Sequence, residues 1–366
     1  MQETDPQEQP MGTTEQAKLT FGSGGWVLLV AFIIAIGIIG WSISGLFMGM
    51  RPVGDGRTVD SYGFALENLG EERAFLVSSG QPRDFLQSID DPEVMAADDV
   101  AHFNAQIRGK YLVSADRVIG VSIDGVHRAY PIRVMNAHEI CNDMLADVPI
   151  VVTFSPLCDS AVVFNRTVDG RERAFGVSGL LLNSNLVMYE KTDDPVASPP
   201  GLWSQLLMKS ISGSESGTAL DPIPGVCITT WSEWKKAHPD TTVIKPDPES
   251  MRRYKSFSYM RYLANGRLDY PVRNAQEHAD QAIGLMSPIL VVSAAGQTRS
   301  IRLDQLTESD GAVTFQIGGA PVTVAKTGER SALVESDADV LTVPTAWFAW
   351  ASMHPGSAAD WLEPGS

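Results

Sequence analysis

The amino-acid sequence predicts an α+β protein that is rich in β-strands, consists of two related lobes and is preceded by one transmembrane helix. Three observations support this fold class: a long charge-free apolar segment near the N-terminus, short apolar runs separated by glycine turns, and a tryptophan–histidine motif that occurs twice. The chain has 366 residues, 44% of them hydrophobic and 20% charged. It is therefore long enough for one large or two ordinary domains with buried cores.

The N-terminal region contains the predicted membrane segment. Residues 1–24 are polar and are predicted to be disordered, whereas residues 25–50 read GWVLLVAFIIAIGIIGWSISGLFMGM without a charge. A helix of that length spans roughly 37 Å, which is enough to cross a bilayer, and Trp26 lies where an interfacial anchor is expected. The segment is too long for a signal-peptide core, and no small-residue cleavage site follows it before Arg51.

The expected location is the cell membrane, with the large domain outside the cytoplasm, either periplasmic or extracellular. Lys18 on one side of the apolar segment and Arg51 and Arg57 on the other do not fix the orientation, so this expectation follows from the single-span layout. The net charge of −16 argues against a nucleic-acid partner. The lipid bilayer is the expected partner, through residues 25–50, together with a possible partner in a membrane complex.

An internal duplication is the most informative pattern. Trp231–Pro239 and Trp347–Pro355 both follow W-x2-W-x3-H-P, a motif of rare residues at near-helical spacing. Upstream of each copy, an apolar run, a glycine turn (Asp124-Gly125 or Ala295-Gly296) and a second run predict a β-hairpin. Because both copies carry the tryptophans, we expect these helices to pack against a sheet and to be architecture.

The duplication sets the predicted domain boundaries. They are a linker or N-terminal extension at 51–99, lobe one at 100–245, a polar linker at 246–269, a degenerate second lobe at 270–357 and a tail at 358–366. Lobe one contains a long insertion, because Thr153 and Trp231 are 78 positions apart whereas the corresponding Ala325 and Trp347 are 22 apart. We therefore expect any functional site in lobe one and a structural role for lobe two.

Segment 136–143, with the sequence NAHEICND, is dense in groups that bind metals or transfer protons. Its apolar flanks predict a short helix on which His138 and Cys141 share a face while Glu139 points elsewhere. The motif is not H-E-x-x-H, which excludes a zinc protease of that class. A buried histidine on an exposed helix is the plainer interpretation of the same residues.

Cys158 follows a proline in the turn SPLC, between two apolar strands, where a thiol can face a pocket. Soft ligands such as thiolate, thioether and imidazole suit copper. Met188 can supply a thioether, although a methionine in a strand is more often part of the core. The leading hypothesis is a copper-type site for redox chemistry or metal handling, with four candidate ligands: His138, Cys158, Met188 and Cys141.

Two other functions remain open. Cys158 can act as a nucleophile or redox thiol with His138 as its base, in a thiol-dependent enzyme. The local motif is S-x-x-C, so a local dithiol is excluded, but Cys141 can act as a resolving thiol. The third possibility is a non-catalytic binding subunit of a membrane complex. Candidate pocket residues, for which a turn or core position is the alternative, are Glu139, Ser155, Asn183, Asn185 and Trp203.

The cysteines do not form a disulfide framework, because Cys141, Cys158 and Cys227 are an odd number. One disulfide with one free thiol and three free thiols are both possible outside the cytoplasm.

The region from Val118 to Thr242 resembles the DUF3179 family of bacterial and archaeal proteins. The resemblance rests on AYPIRVMNAHEICND, PIVVTFSPLCDSAVVFNR, FGVSGLLLNSNLVMYEKT, LWSQ and TTWSEWKKAHPDT, in that order. Residues 289–357 resemble the second, degenerate half of such proteins. The resemblance implies a membrane-attached or exported protein and no established reaction. The family pattern has C-P-L-C where this chain has Ser155, which leaves Cys158 and His138 as the shared reactive groups.

Overall fold

A computed structural model of the chain describes residues 30, 32, 52–256, 258–279, 283–307, 311–336, 340–356 and 361–362. Of the predicted membrane segment 25–50, only Val30 and Phe32 are included, and both are helical and exposed. The rest of that segment, the predicted disordered N-terminus at 1–24 and most of the tail lie outside the described residues. Within the described residues, no helix combines the length and apolarity needed to cross a bilayer. The described residues from Val53 to Leu362 form one compact unit.

The secondary structure consists mainly of strands. Two 3-10 helices at Val59–Tyr62 and Gly70–Phe75 precede the first strand. The strands in chain order are β1 (Leu76–Ser78), β2 (Ile89–Asp90), β3 (Val94–Ala96), β4 (Arg117–Ile123), β5 (Val126–Pro131), β6 (Ile140–Leu145), β7 (Val148–Ser155), β8 (Ser160–Asn165), β9 (Thr167–Val168), β10 (Arg171–Glu172), β11 (Phe175–Leu182), β12 (Asn185–Glu190), β13 (Leu202–Ser204), β14 (Lys209–Ser210), β15 (Asp221–Pro222), β16 (Cys227–Thr230), β17 (Thr242–Ile244), β18 (Pro288–Ala294), β19 (Gln297–Arg302), β20 (Ala312–Ile317), β21 (Ala320–Gly328), β22 (Ser331–Ser336) and β23 (Leu341–Ala346). The described helices are α1 (Asp99–Gln106), α2 (Ile132–His138), α3 (Trp231–Ala237), α4 (Met251–Ser256), α5 (Met260–Asn265), α6 (Ala275–Ala279) and α7 (Trp347–Met353).

These strands form several sheets, which confirms the prediction of a β-rich protein. Three sheets have five strands each, in the orders β1-β11-β12-β13-β14, β15-β8-β7-β6-β2 and β16-β4-β5-β17-β3. Two have three strands, β19-β18-β23 and β20-β21-β22, and β9 pairs with β10. The region predicted as a linker or extension at 51–99 supplies one strand to each five-stranded sheet, because β1, β2 and β3 pair with β11, β6 and β17.

The same arrangement of elements occurs twice. Both predicted hairpins are present, and their turns place Asp124 and Ala295 at φ +50° and +49°, each followed by a left-handed glycine. In the first copy β16 pairs with β4 and leads into α3; in the second β23 pairs with β18 and leads into α7. A three-stranded antiparallel meander lies between hairpin and helix in both copies, formed by β6–β8 and by β20–β22.

The two repeated helices pack their tryptophans against the sheets, as the sequence predicts. Trp234 lies directly on β4, where a Cβ atom added to Gly120 would come within 2.3 Å of the indole ring. Each helix ends at the motif histidine, whose backbone N–H donates to the carbonyl of the second tryptophan at 2.8 Å for His238 and 2.9 Å for His354. The motif is therefore part of the architecture.

The insertion in the first copy builds additional structure. It contains β9–β15, and β11–β14 form most of the sheet that β1 completes. Two buried apolar clusters hold the unit together, and each contains residues from both copies, such as Val121 with Val292 in one and Val162 with Val291 in the other. The two copies therefore share their cores.

Candidate functional site

The end of helix α2 determines the geometry of the site. The helix stops at His138 because Glu139 adopts φ +58° and ψ −31°, a conformation that costs a non-glycine residue on the order of 1–3 kcal/mol. The backbone N–H of Glu139 donates to the carbonyl of Met135 at 2.7 Å, and the chain then enters β6. Cys141 lies in that strand opposite Val152. The expectation that His138 and Cys141 share one helix face was therefore wrong.

The Glu139 side chain lines a cavity of about 270 Å³. The residue keeps partial contact with solvent, but protein atoms crowd around its carboxyl group closely enough to desolvate it. Within the described chain, this group has no hydrogen-bonding or ion-pair partner. Burial alone raises its pKa from the ordinary 4.5 to about 8. A largely desolvated carboxyl group without a counter-ion therefore faces a small cavity, and Glu139 is the predicted pocket residue that lines it.

Two tyrosines form one wall of this cavity, Tyr259 from the segment predicted as a polar linker and Tyr270 from the start of the predicted second lobe. Tyr259 and Tyr270 both line it, and the Tyr270 hydroxyl donates to the backbone oxygen of Ser79 at 3.0 Å. Burial, with Glu139 as the next contributor, raises the pKa of Tyr259 to about 12. Sequence reasoning missed these residues, although four of the chain's eight tyrosines lie between positions 254 and 270.

The opposite wall is an irregularity in β11. The pairing of β11 with β12 shifts between Val177 and Leu181, and Gly179 within this bulge has φ +78°. A Cβ atom there would approach the backbone oxygen of Pro82 to 2.8 Å. Glycine is therefore required for the close contact between the inserted sheet and the segment 79–85, which also lines the cavity.

The SPLC turn separates the Glu139 cavity from a second cavity of about 410 Å³. Leu157 lines the first and Pro156 the second, and Tyr259 lines both. The second cavity contains charged residues that are already paired, because Asp159 binds Arg117 at 2.9 Å and Arg330 at 2.7 Å. The SPLC turn and Tyr259 therefore lie between the Glu139 cavity, which has one unpaired carboxyl group, and a second cavity whose charged residues are paired.

Cys158, the last residue of this turn, is completely buried. Its Sγ donates to the backbone oxygen of Ser184 at 3.2 Å, and burial raises the pKa of the thiol to about 12. The Ser155 hydroxyl accepts a hydrogen bond from the backbone N–H of Leu186 at 3.2 Å. All three cysteines are free and buried. Of the two pairing possibilities, the structure therefore has three free thiols and no disulfide among them. At neutral pH we therefore expect Cys158 to be a protonated core thiol.

The other predicted pocket residues have structural roles away from the Glu139 cavity. Asn185 belongs to a buried amide–hydroxyl network, in which its Nδ2 donates to Gln205 at 2.8 Å and to Ser160 at 3.2 Å. Asn183 accepts a hydrogen bond from the backbone N–H of Arg273 at 2.8 Å. Trp203 is buried against Phe175, with ring centroids 5.6 Å apart.

His138 faces a different part of the surface from Glu139. Its Nδ1 donates to the backbone oxygen of Gln87 at 2.6 Å, and its Nε2 lies 3.1 Å from the hydroxyl of Tyr254, which can donate to it. It lines a separate cavity of about 490 Å³ beside Asp247, and burial lowers the pKa of its ring. Both ring nitrogens thus have partners other than Cys158, so the geometry does not show the predicted base–thiol pair.

The four predicted copper ligands occupy different environments. Cys141 belongs to one buried apolar cluster, and Cys158 and Met188 belong to the other. In the part of the chain that the structure describes, no group of three or more histidine, cysteine, aspartate or glutamate side chains is arranged to hold a metal ion. The copper prediction therefore gains no support from this geometry.

The fold and cavity define a β-rich protein in which an unpaired carboxyl group faces a small, mainly apolar space. Comparison with known proteins identifies its family. The family described as "Protein of unknown function (DUF3179)" matches residues 83–343, and the chain belongs to this family. Neither the comparison with curated proteins nor that with solved structures gave a match.

Proposed function

We propose that the Glu139 cavity is a small-molecule site and that the Glu139 carboxyl group transfers a proton to or from the bound molecule. The observation that carries this proposal is the largely desolvated carboxyl group without a partner among the described residues, on a residue whose backbone has a positive φ on the cavity wall. Residues in rarely populated backbone conformations and buried titratable groups are concentrated at active sites.

The acidity of Glu139 suits proton transfer near neutral pH. A general acid or base works best when its pKa is close to the working pH, because both protonation states are then available. Burial moves the pKa of Glu139 to about 8, which is in this range. The Tyr259 hydroxyl shares the cavity wall and can hydrogen-bond a ligand there.

A thiol mechanism through Cys158 is less well supported. A thiolate is the reactive form of cysteine, and burial raises the pKa of Cys158 to about 12. The neighbouring Leu157 lines the Glu139 cavity, whereas the thiol donates its hydrogen to Ser184. We therefore assign the chemistry to Glu139.

We also propose that residues 25–50 anchor the protein in the cell membrane, with the large domain outside the cytoplasm. The charge-free sequence of this segment supports the anchor.

We further propose that residues 270–357 are a duplicated structural partner of the first copy. The repeated order of hairpin, meander, strand and helix supports this, and so does the simpler second copy, which lacks the inserted sheet beside Glu139.

Labelling with dicyclohexylcarbodiimide tests the acid–base site without knowledge of the substrate. This apolar reagent reacts with protonated carboxyl groups in apolar surroundings, so we expect Glu139 to be its main target near pH 7. Labelling should decline above pH 8, where the group ionises. Peptide mass mapping identifies the modified residue, and a water-soluble carbodiimide provides the contrasting pattern for exposed carboxylates.

Glu139→Gln is the variant that must lose this label. Glu67→Gln, at an exposed position, is the matched control and should retain it. If Glu139 in the folded protein is not labelled at any pH from 6 to 9, then the cavity is not a reachable acid–base site and the proposal fails.

A further inference from the structure

Taking the proposed Glu139 site as the binding site, we infer that its ligand is a small organic cation, such as an alkylammonium or quaternary ammonium compound. The inference rests on the charge and aromatic content of the cavity lining and extends the proposed function by naming its ligand class.

The charge of the cavity favours a cation. Among the described residues that line it, Glu139 is the sole one with a carboxyl or basic side chain, and it is anionic when it ionises; the others are apolar, aromatic or neutral polar. A buried carboxylate is costly unless an opposite charge accompanies it. A bound cation would supply that charge. An anion would meet no cationic lining residue here and would be repelled by ionised Glu139.

The aromatic content of the lining points in the same direction. Phe85 lines the cavity from the N-terminal part of the unit, and Tyr259 and Tyr270 line it from a segment far along the chain. Aromatic ring faces attract cations, and several rings around one space are the usual arrangement for binding ammonium groups. Because Tyr270 already donates its hydroxyl hydrogen to Ser79, its ring is fixed in place beside the cavity.

The size of the cavity limits the ligand further. Its volume of about 270 Å³ lies just below the range of about 300–1,000 Å³ that is typical of sites for drug-sized ligands. A compact headgroup fits this space and a polymer does not.

The titratable groups that interact with Glu139 are Tyr259, Tyr270 and Cys158, and burial raises the pKa of each, so all three remain uncharged near neutral pH. None of them therefore adds a second negative charge, and Glu139 is the group in this lining that a cation would pair with.

Calorimetry on the full chain in maltoside micelles tests the inference with matched probes. Choline and tetramethylammonium are the cationic probes, and 3,3-dimethylbutan-1-ol is the neutral analogue of choline with nearly the same shape. We expect choline to bind at least tenfold more tightly than the alcohol. Detergents with a choline headgroup must be avoided because they would occupy the site.

Variants separate the contribution of charge from that of the ring. Glu139→Gln should weaken choline binding at least tenfold and leave the alcohol unchanged, whereas the exposed Glu67→Gln should bind as the unchanged protein does. Tyr259→Phe keeps the ring and should retain choline binding. Tyr259→Leu removes the ring and should weaken choline binding several-fold. Because both variants change the same position, comparing them distinguishes loss of the ring from a general loss of folding caused by substitution at Tyr259.

The outcomes distinguish this inference from the proposed function. If the alcohol binds as tightly as choline, the cation inference is overturned while the cavity remains a binding site. If neither probe binds but the carbodiimide still labels Glu139, the cation inference is overturned and the acid–base proposal stands. Absence of both binding and labelling overturns both.

Discussion

His138 and Glu139 are adjacent in the chain, yet their side chains lie in different cavities. The His138 ring is hydrogen-bonded to Gln87 and Tyr254, whereas the Glu139 carboxyl group faces the apolar cavity with Tyr259. The separation arises because the helix ends between them and Glu139 takes a positive φ. One short segment therefore supplies a hydrogen-bonded structural histidine and an unpaired carboxyl group.

The first prediction concerns the pH dependence of stability at Glu139. Its pKa is about 8 in the folded protein and about 4.5 in the unfolded chain, so between these values the folded state holds a proton that the unfolded state releases. The contribution of Glu139 to stability therefore falls as the pH rises through this window. We expect Glu139→Gln to gain stability relative to the unchanged protein from pH 5 to pH 8 and to level off above.

Thermal unfolding followed by tryptophan fluorescence at pH 5, 7 and 9 measures this difference. Glu67→Gln provides the control for the loss of one carboxylate at an exposed position. Parallel pH profiles for Glu139→Gln and the unchanged protein would show that the carboxyl group is not buried as described.

The second prediction concerns the backbone at the same position. Because Glu139 has φ +58°, glycine should be preferred over alanine there. We expect Glu139→Gly to be more stable than Glu139→Ala by about 1 kcal/mol. Both variants lack the carboxyl group, so the comparison isolates the backbone. Denaturant unfolding of the two variants checks the order, and equal stability or a more stable alanine variant would contradict the positive φ.

Much of the architecture could be predicted from the sequence because its signals are local. Asp124-Gly125 marks a hairpin through its turn geometry, and the spacing of Trp231 and Trp234 marks a helix with one buried face. The β-rich fold follows from such signals. Glu139 was also predicted as a pocket residue, because it lies in the segment NAHEICND, which is dense in metal-binding and proton-transferring groups.

The rest of the site depends on contacts between distant segments. Tyr259 lies 120 positions from Glu139 in a stretch whose charges suggested a linker, and no local pattern indicates that it packs over the SPLC turn. The assumed helix through Cys141 failed for a similar reason. The apolar flanks of the segment suggested a helix that continues past His138, but the pairing of β6 with β7 requires the chain to turn at Glu139.

The third prediction concerns the cysteines. Cys141, Cys158 and Cys227 are buried, and burial raises the pKa of each thiol. Since the thiolate is the species that reacts, we expect iodoacetamide at pH 7.5 to modify none of them appreciably in the folded protein and all three after denaturation. Mass spectrometry of the alkylated peptides measures this. Fast and selective modification of Cys158 in the folded state would contradict this prediction and would support the mechanism in which Cys158 is the reactive thiol.

The last prediction concerns His238, the motif histidine of the first copy. Its effect on stability is opposite to that of Glu139, because stability falls as the pH is lowered. Its ring stacks on His127 with centroids 4.0 Å apart. Burial first, and then the neighbouring His127, lower the pKa of His238 from 6.5 to about 4, against a smaller opposing effect of Asp240. Between pH 6.5 and 4 the unfolded chain therefore binds a proton that the folded state does not, so stability falls as the pH falls through this window.

We expect His238→Gln to lose less stability than the unchanged protein when the pH is lowered from 7 to 4.5, as measured by the unfolding temperature. His102→Gln, at an exposed position, controls for the loss of a histidine. An unfolding temperature of His238→Gln that falls as steeply as that of the unchanged protein would show that His238 is protonated in the folded state at this pH, and that its stacking on His127 does not hold it neutral.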